Sequence, residues 1–123
     1  MNSLNELRDA LRAFARERDW DQFHSPKNLA MALAVEVGEL LEPLQWLSES
    51  EAREPSPEVR ANLEEELADV LIYLVRLADK LEIDLLPAAT AKISRNAEKY
   101  PVENSRGNAR KYTAFDAKGE TDG

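Results

Sequence analysis

The sequence predicts an all-α protein, an antiparallel four-helix bundle that assembles further into a helical oligomer. Three observations carry this prediction. Apolar residues recur at three- and four-residue spacing in four segments, and strand-like alternation is nearly absent. The pairs Ser25-Pro26 and Ser56-Pro57 stand where two segments begin, as an N-cap followed by proline at the first helical position. The second segment is apolar almost all round, which is how a helix buried on more than one side reads. In a chain of 123 residues that burial calls for a second subunit.

Each element follows from local chemistry. The first helix, residues 4–18, sets Leu4, Leu7, Leu11, Phe14 and Ala15 on one face. Arg8, Asp9, Arg12, Arg16 and Glu17 occupy its solvated face. A short connection through Trp20 and His24 leads to the Ser25 cap. The second helix, residues 26–48, carries a core stripe of Leu29, Leu33, Val37, Leu40, Leu44 and Leu47. Pro43 lacks an N–H and clashes with the carbonyl four residues back, so a kink or break is expected between Glu39 and Pro43. Residues 48–57 are charged, include two prolines and read as a loop. The third helix, residues 57–82, has Leu63, Leu67, Val70, Leu71, Leu74, Leu77 and Leu81 as its core stripe. Asp84 caps the fourth, residues 85–99, and Pro101 stops it. Residues 1–113 read as one domain, and 114–123 as a disordered tail.

Composition narrows the chemistry. There is no cysteine, so disulfides, thiolate zinc sites and cysteine nucleophiles are excluded. One histidine rules out a multi-histidine metal site within one chain. No uncharged apolar run reaches the ~18 residues of a membrane span, so no membrane partner is expected. Glu6, Arg8 and Asp9 fall where a signal peptide needs an apolar core, which points to a cytoplasmic protein. The net charge of −8, from 24 acidic against 16 basic residues, argues against a nucleic-acid polymer as partner. A nucleotide can still bind if metal ions stand between carboxylates and phosphates.

Two acidic pairs share one spacing, Glu36-x-x-Glu39 and Glu66-x-x-Asp69. A helix turns about 100° per residue, so residues three apart stand about 60° apart on one face. Each pair aims two carboxylates at one region beside its helix's apolar stripe. Packed side by side, the two helices would bring four carboxylates together, a donor set suited to a hard cation such as Mg²⁺. Gly38, inside the first pair, lowers helix propensity and would permit close approach by a helix or ligand. Glu-x-x-His partners of a di-iron bundle are missing, because Asp21-x-x-His24 falls in a connection. Tyr73 shares a face with Glu66 and Asp69. Lys92, Arg95, Asn96 and Lys99 share spacing on the fourth helix, and Arg110-Lys111-Tyr112 adds a basic cluster.

The runs Glu36-Val37-Gly38-Glu39-Leu40, Gln45-Trp46 and Glu65-Glu66-Leu67-Ala68-Asp69-Val70 resemble the MazG-like all-α nucleoside triphosphate pyrophosphatases. Arg18-Asp19-Trp20, Phe23-His24-x-Pro26-x-Asn28-Leu29 and Arg110-Lys111-Tyr112 extend the resemblance, which lies closest to the dCTP pyrophosphatase branch. The resemblance implies that Glu36, Glu39, Glu66 and Asp69 bind Mg²⁺ and that a (d)NTP is hydrolysed to its monophosphate and pyrophosphate. It implies a base site among Trp20, Trp46, Tyr73 and Asn96, with His24, Lys92, Arg110, Lys111 and Tyr112 as further substrate contacts. It also implies a homo-oligomer, a tetramer or a dimer. Two residues depart from the pattern. Leu11 stands where the dCTP-specific relatives carry a histidine, and Pro43 bears on the geometry around Trp46.

Three readings follow. The first is a Mg²⁺-dependent pyrophosphatase acting on dCTP or modified dCTP in nucleotide-pool sanitation. The second keeps the chemistry but acts on dUTP or a broad nucleotide set. The third is a helical interaction module whose acids face solvent or a partner's basic helix.

Overall fold

A computed structural model describes residues 1–111 and 113. Tyr112 and the tail expected at 114–123 lie outside the described residues. The described chain is all-α, with no strand among its residues. Its helices are α1 (Leu4–Glu17), α2 (Pro26–Leu41), α3 (Glu49–Arg53), α4 (Pro57–Lys80), α5 (Leu85–Lys99) and α6 (Val102–Ser105), with a 3₁₀ turn at Asp21–Phe23. The chain forms two compact units, Met1–Ile83 and a second that begins at Asp84. In the first, α2 packs along α4 and α1 lies on α4. The second holds α5 and α6. No helix among the described residues is long and apolar enough to cross a membrane.

Serine hydroxyls start the helices by accepting a backbone N–H that has no partner within the first turn. Ser3 accepts from Glu6 at 3.1 Å, Ser25 from Asn28 at 3.2 Å and Ser56 from Val59 at 3.3 Å. Pro26 and Pro57 occupy the first turns, where no donor is needed. The expected loop at 48–57 instead contains α3. Ser48 accepts from the Glu51 N–H at 3.2 Å while the Glu51 carboxylate accepts from the Ser48 N–H at 2.8 Å. This reciprocal capping box, written as Ser-x-x-Glu, closes one helical turn between the prolines.

The break in the second predicted helix occurs within the expected span. α2 ends at Leu41, and the chain then runs through turns to Ser48 rather than continuing as a helix. Pro43 explains the stop, since it has no N–H to give the Glu39 carbonyl.

The predicted apolar stripe of α4 is covered within the chain only in part, at the half-buried Leu63, Val70 and Leu77. Val75, Arg76 and Ala78 are buried, whereas Leu67, Leu71, Leu74 and Leu81 are exposed. Val37 of the α2 stripe is exposed too, although Leu29 is almost fully covered. Apolar spacing located a face but not its partner. Met31, Val35 and Leu41 on α2 are likewise exposed. A Cβ at Gly38 would meet nothing within 4 Å, so no close approach within the chain explains that glycine.

α1 and α4 end alike. Asp19 and Glu82 adopt positive φ, 53° and 55°. The next N–H then reaches back across the turn, from Trp20 to Ala15 O at 2.9 Å and from Ile83 to Ala78 O at 2.8 Å. The first of these turns sets the direction of Trp20, the second closes the first unit. Neither residue is a glycine, so each carries the Cβ penalty of the left-handed region. Glu82→Gly is expected to raise unfolding stability by about 1 kcal/mol, with Glu82→Ala near neutral because it keeps that penalty. Denaturant midpoints of the three proteins check this.

Candidate functional site

The packing of α2 on α4 places the two acidic pairs together. One carboxylate oxygen from each of Glu36, Glu39 and Glu66 lies within 4.8 Å of the others. Asp69 stands close enough for its charge to act on both Glu36 and Glu66. Oε2 of Glu36 and Oε2 of Glu66 are shielded from solvent and have no hydrogen-bond partner among the described residues. Burial pushes the Glu36 carboxyl above its ordinary value, and the neighbouring Glu39, Asp69 and Glu66 push it further. Glu66 is raised in the same way, by burial first and then by Glu39 and Asp69.

A carboxylate oxygen shielded from water and left without a donor is costly unless a cation meets it. Four hard oxygen-bearing groups with two such orphans fit a divalent cation that prefers oxygen ligands. Glu36, Glu39, Glu66 and Asp69 could hold it.

Beside this cluster lies a cavity of about 230 Å³. α1 contributes Leu11, Phe14 and Ala15 to its wall, and the connection to α2 contributes Trp20 and His24. α4 supplies Asp69, Ile72, Tyr73 and Arg76. Asp69 therefore belongs to the acid cluster and to the cavity. The aromatic wall is ordered edge to face: Phe14 and Trp20 have ring centroids 5.7 Å apart, and Trp20 and His24 6.5 Å apart. Arg18 lies over the Phe14 ring, 3.6 Å from its centroid. The Asn28 side chain donates to Phe23 O at 3.1 Å, tying the connection to α2.

The sequence-predicted residues divide by position. Trp20, His24 and Tyr73 line the cavity with Asp69. Trp46 does not: it is 87% exposed and absent from the cavity wall, in the turns that follow the end of α2 at Leu41. Lys92, Asn96, Arg110 and Lys111 are exposed residues of the second unit. There Lys99 and then Arg95 act to lower the Lys92 ammonium below the ordinary lysine value, with local burial contributing between them. Lys92, Arg95 and Lys99 thus lie near one another on α5.

Arg76 escaped the sequence reading. It is 5% exposed and joins three elements. Its side chain donates to His24 Nδ1 at 3.1 Å, to Asp79 Oδ2 at 3.3 Å and to Asp21. Arg12 pairs with Asp79 at 2.8 Å and Lys80 with Asp21 at 2.6 Å. Arg12 is therefore engaged with α4 and not merely solvated, as its place on the wheel suggested. Arginine three residues after Tyr73 and three before Asp79 was the available signal, since all three fall near one face.

The fold and these residues define the class. A MazG-like family model matches residues 31–115, and the chain belongs to that family. Among individual relatives, mouse (Mus musculus) dCTP pyrophosphatase 1 is 50% identical over 113 residues, covering 90% of this chain and 66% of that protein. The human (Homo sapiens) protein of the same name is 48% identical over 113 residues, with 90% and 66% coverage. The chain thus spans 66% of the length of these two relatives. A crystal structure of a pyrophosphatase from Archaeoglobus fulgidus is similar with a TM-score of 0.75 and 46% identity, over 79% of this chain and 91% of that one.

The acid cluster should weaken the metal-free fold. A carboxyl whose folded pKa is raised imposes a penalty that is absent below its unfolded pKa and fully present above its folded one. Glu36→Gln removes one such group, so in EDTA its melting temperature should exceed the wild-type value at pH 7.5. That excess should shrink as pH falls toward the ordinary carboxylate range. Divalent cation should raise the wild-type value and leave the variant nearly unmoved. Melting curves from pH 4.5 to 8, with and without cation, test it.

Proposed function

We propose that this chain is a Mg²⁺-dependent nucleoside triphosphate pyrophosphatase that converts dCTP or a modified dCTP to its monophosphate and pyrophosphate. The single observation that carries the reading is Asp69, which lines the aromatic cavity and whose charge acts on Glu36 and Glu66 of the acid cluster. A triphosphate at the first and a base in the second is the arrangement a nucleotide requires. The names of the relatives, dCTP pyrophosphatase 1 and a pyrophosphatase, support the same chemistry.

In this reading Glu36, Glu39, Glu66 and Asp69 hold the cation, which when bound offsets phosphate charge and polarises the phosphoryl oxygens. Trp20 and Tyr73 take the base against their ring faces, and the apolar wall of Leu11, Phe14 and Ile72 excludes water around it. Water adds to the α-phosphorus, the bond from it to the α–β bridging oxygen breaks, pyrophosphate departs with that oxygen, and a proton from the water passes to solvent. The resemblance adds Lys92, Asn96, Arg110, Lys111 and Tyr112 as substrate contacts, the three cations suited to phosphate charge and Asn96 and Tyr112 to hydrogen bonding. The functional domain is taken as residues 1–113, because the family match crosses both compact units. Its setting would be the nucleotide pool of the cytoplasm.

A second reading, dUTP or a broad nucleotide set, is favoured by Leu11. This leucine lines the cavity where the dCTP-specific pattern has an imidazole, and its side chain can neither donate nor accept a hydrogen bond.

The chain is also proposed to form a homo-oligomer, a tetramer or a dimer. The exposed stripes Met31-Val35-Leu41 and Leu67-Leu71-Leu74 support this, as does Trp46. Gly38 would then admit a neighbouring subunit.

Pyrophosphate release measured over the common deoxynucleotides, with and without Mg²⁺, tests the chemistry. Asp69→Asn should cut turnover on the order of 100-fold or more while retaining helix content. A fully active variant would remove Asp69 from the site, and silence on every nucleotide would favour a non-enzymatic helical module. Val35→Glu should lower the sedimenting mass without loss of helical signal, as charge on a buried apolar contact requires.

A further inference from the structure

The guanidinium of Arg76 has only donors and does not lose its proton in a folded protein. The atom its Nε addresses must therefore be an acceptor, and that atom is His24 Nδ1 at 3.1 Å. An imidazole that accepts at Nδ1 carries its proton on Nε2. Arg76 is not free to turn away. Asp79, itself pinned by Arg12, and Asp21, itself pinned by Lys80, hold the rest of its fork. His24 is held from its own side, with its backbone N–H on Asp21 O at 3.1 Å and its ring edge to Trp20. Nε2 has no partner among the described residues, and the ring lines the cavity that also contains Asp69 and Tyr73.

We propose that Arg76 is a positioning residue that locks His24 in the Nε2–H tautomer, so that the cavity offers a fixed donor and selects a base edge presenting a carbonyl oxygen or an unprotonated ring nitrogen. This rests on the nucleotide reading above and deepens it. The same contact keeps the ring uncharged. A second proton on Nδ1 would face the guanidinium N–H directly, in a part-buried site. Burial, Arg76 and Lys80 all lower the His24 pKa, opposed by Asp21. The charged groups acting on the ring are thus Arg76 and Lys80 from α4 and Asp21 from the 3₁₀ turn, with Asp69 and Tyr73 lining the same cavity.

The chain has one histidine, so its imidazole ¹⁵N signals need no assignment. Long-range ¹H–¹⁵N correlation spectra of the full chain at pH 7.5 should show a protonated Nε2 and an unprotonated Nδ1. The folded variant Arg76→Met should show a mixture of tautomers, and Arg76→Lys should retain part of the wild-type preference. With dCTP as the probe, Arg76→Met should raise KM about tenfold with kcat changed far less, as loss of one well-placed hydrogen bond predicts. His24→Gln, whose amide nitrogen sits where Nε2 does, should keep KM nearer the wild-type value than His24→Asn. A proton on Nδ1 in the wild-type protein, an equal mixture, or an unchanged tautomer in Arg76→Met would overturn the proposal. So would equal KM values for the two His24 variants. The tautomer is read without substrate, so its failure in an active enzyme is distinct from failure of the pyrophosphatase reading, which shows as no pyrophosphate released by any variant or the wild type.

Discussion

Like charges forced together beside a covered helix contact are the constraint from which the rest of this protein follows. α2 and α4 pack with Glu36, Glu39 and Glu66 aimed at one point, and with Asp69 near enough for its charge to act on Glu36. Two of the carboxylate oxygens are shielded from solvent and have no donor among the described residues. A fold selected for stability alone would put leucine or a cationic partner there. The retained repulsion is the physical reason to expect a cation, and the cavity next to it is the reason to expect that the cation serves a ligand.

The second constraint is rigidity around that cavity. Its walls come from α1, from α4 and from a short connection, and only the helices are stiff by themselves. The connection is fixed by charge: Asp21 and His24 are tied to Arg76, which is tied in turn to Asp79 and through it to α1. Asp79 is held below the usual carboxylate range, mainly by Arg12. Its share of stability is present at neutral pH and is lost only as pH falls through that depressed value. Acid cluster and ion-pair network thus respond to pH in opposite senses, one strained when charged and the other sustained by charge.

Much of this was legible in the residues. Ser25-Pro26 and Ser56-Pro57 marked helix starts because capping is local chemistry. The spacing of Glu36, Glu39, Glu66 and Asp69 pointed to convergence because helical geometry is regular. Other features depend on what each face meets. The leucines of α4 read as core because apolar periodicity cannot say whether the partner is this chain or another. Trp46 read as a stacking ring, and it stands exposed in the turns after α2, outside the cavity wall. α3 was written plainly as Ser48-x-x-Glu51 and was masked by its prolines and charges. Arg76 was hidden for a different reason: a single cation in an apolar helix reveals its role only when His24 and Asp21, far away in sequence, are seen beside it.

The most direct test of the central claim is anomalous diffraction from crystals grown with Mn²⁺, a hard divalent ion that can stand in for Mg²⁺. The account predicts an anomalous peak bounded by the Glu36, Glu39, Glu66 and Asp69 carboxylates, within bonding distance of the two orphaned oxygens. A map with no peak there, and those side chains turned apart toward solvent, would contradict it.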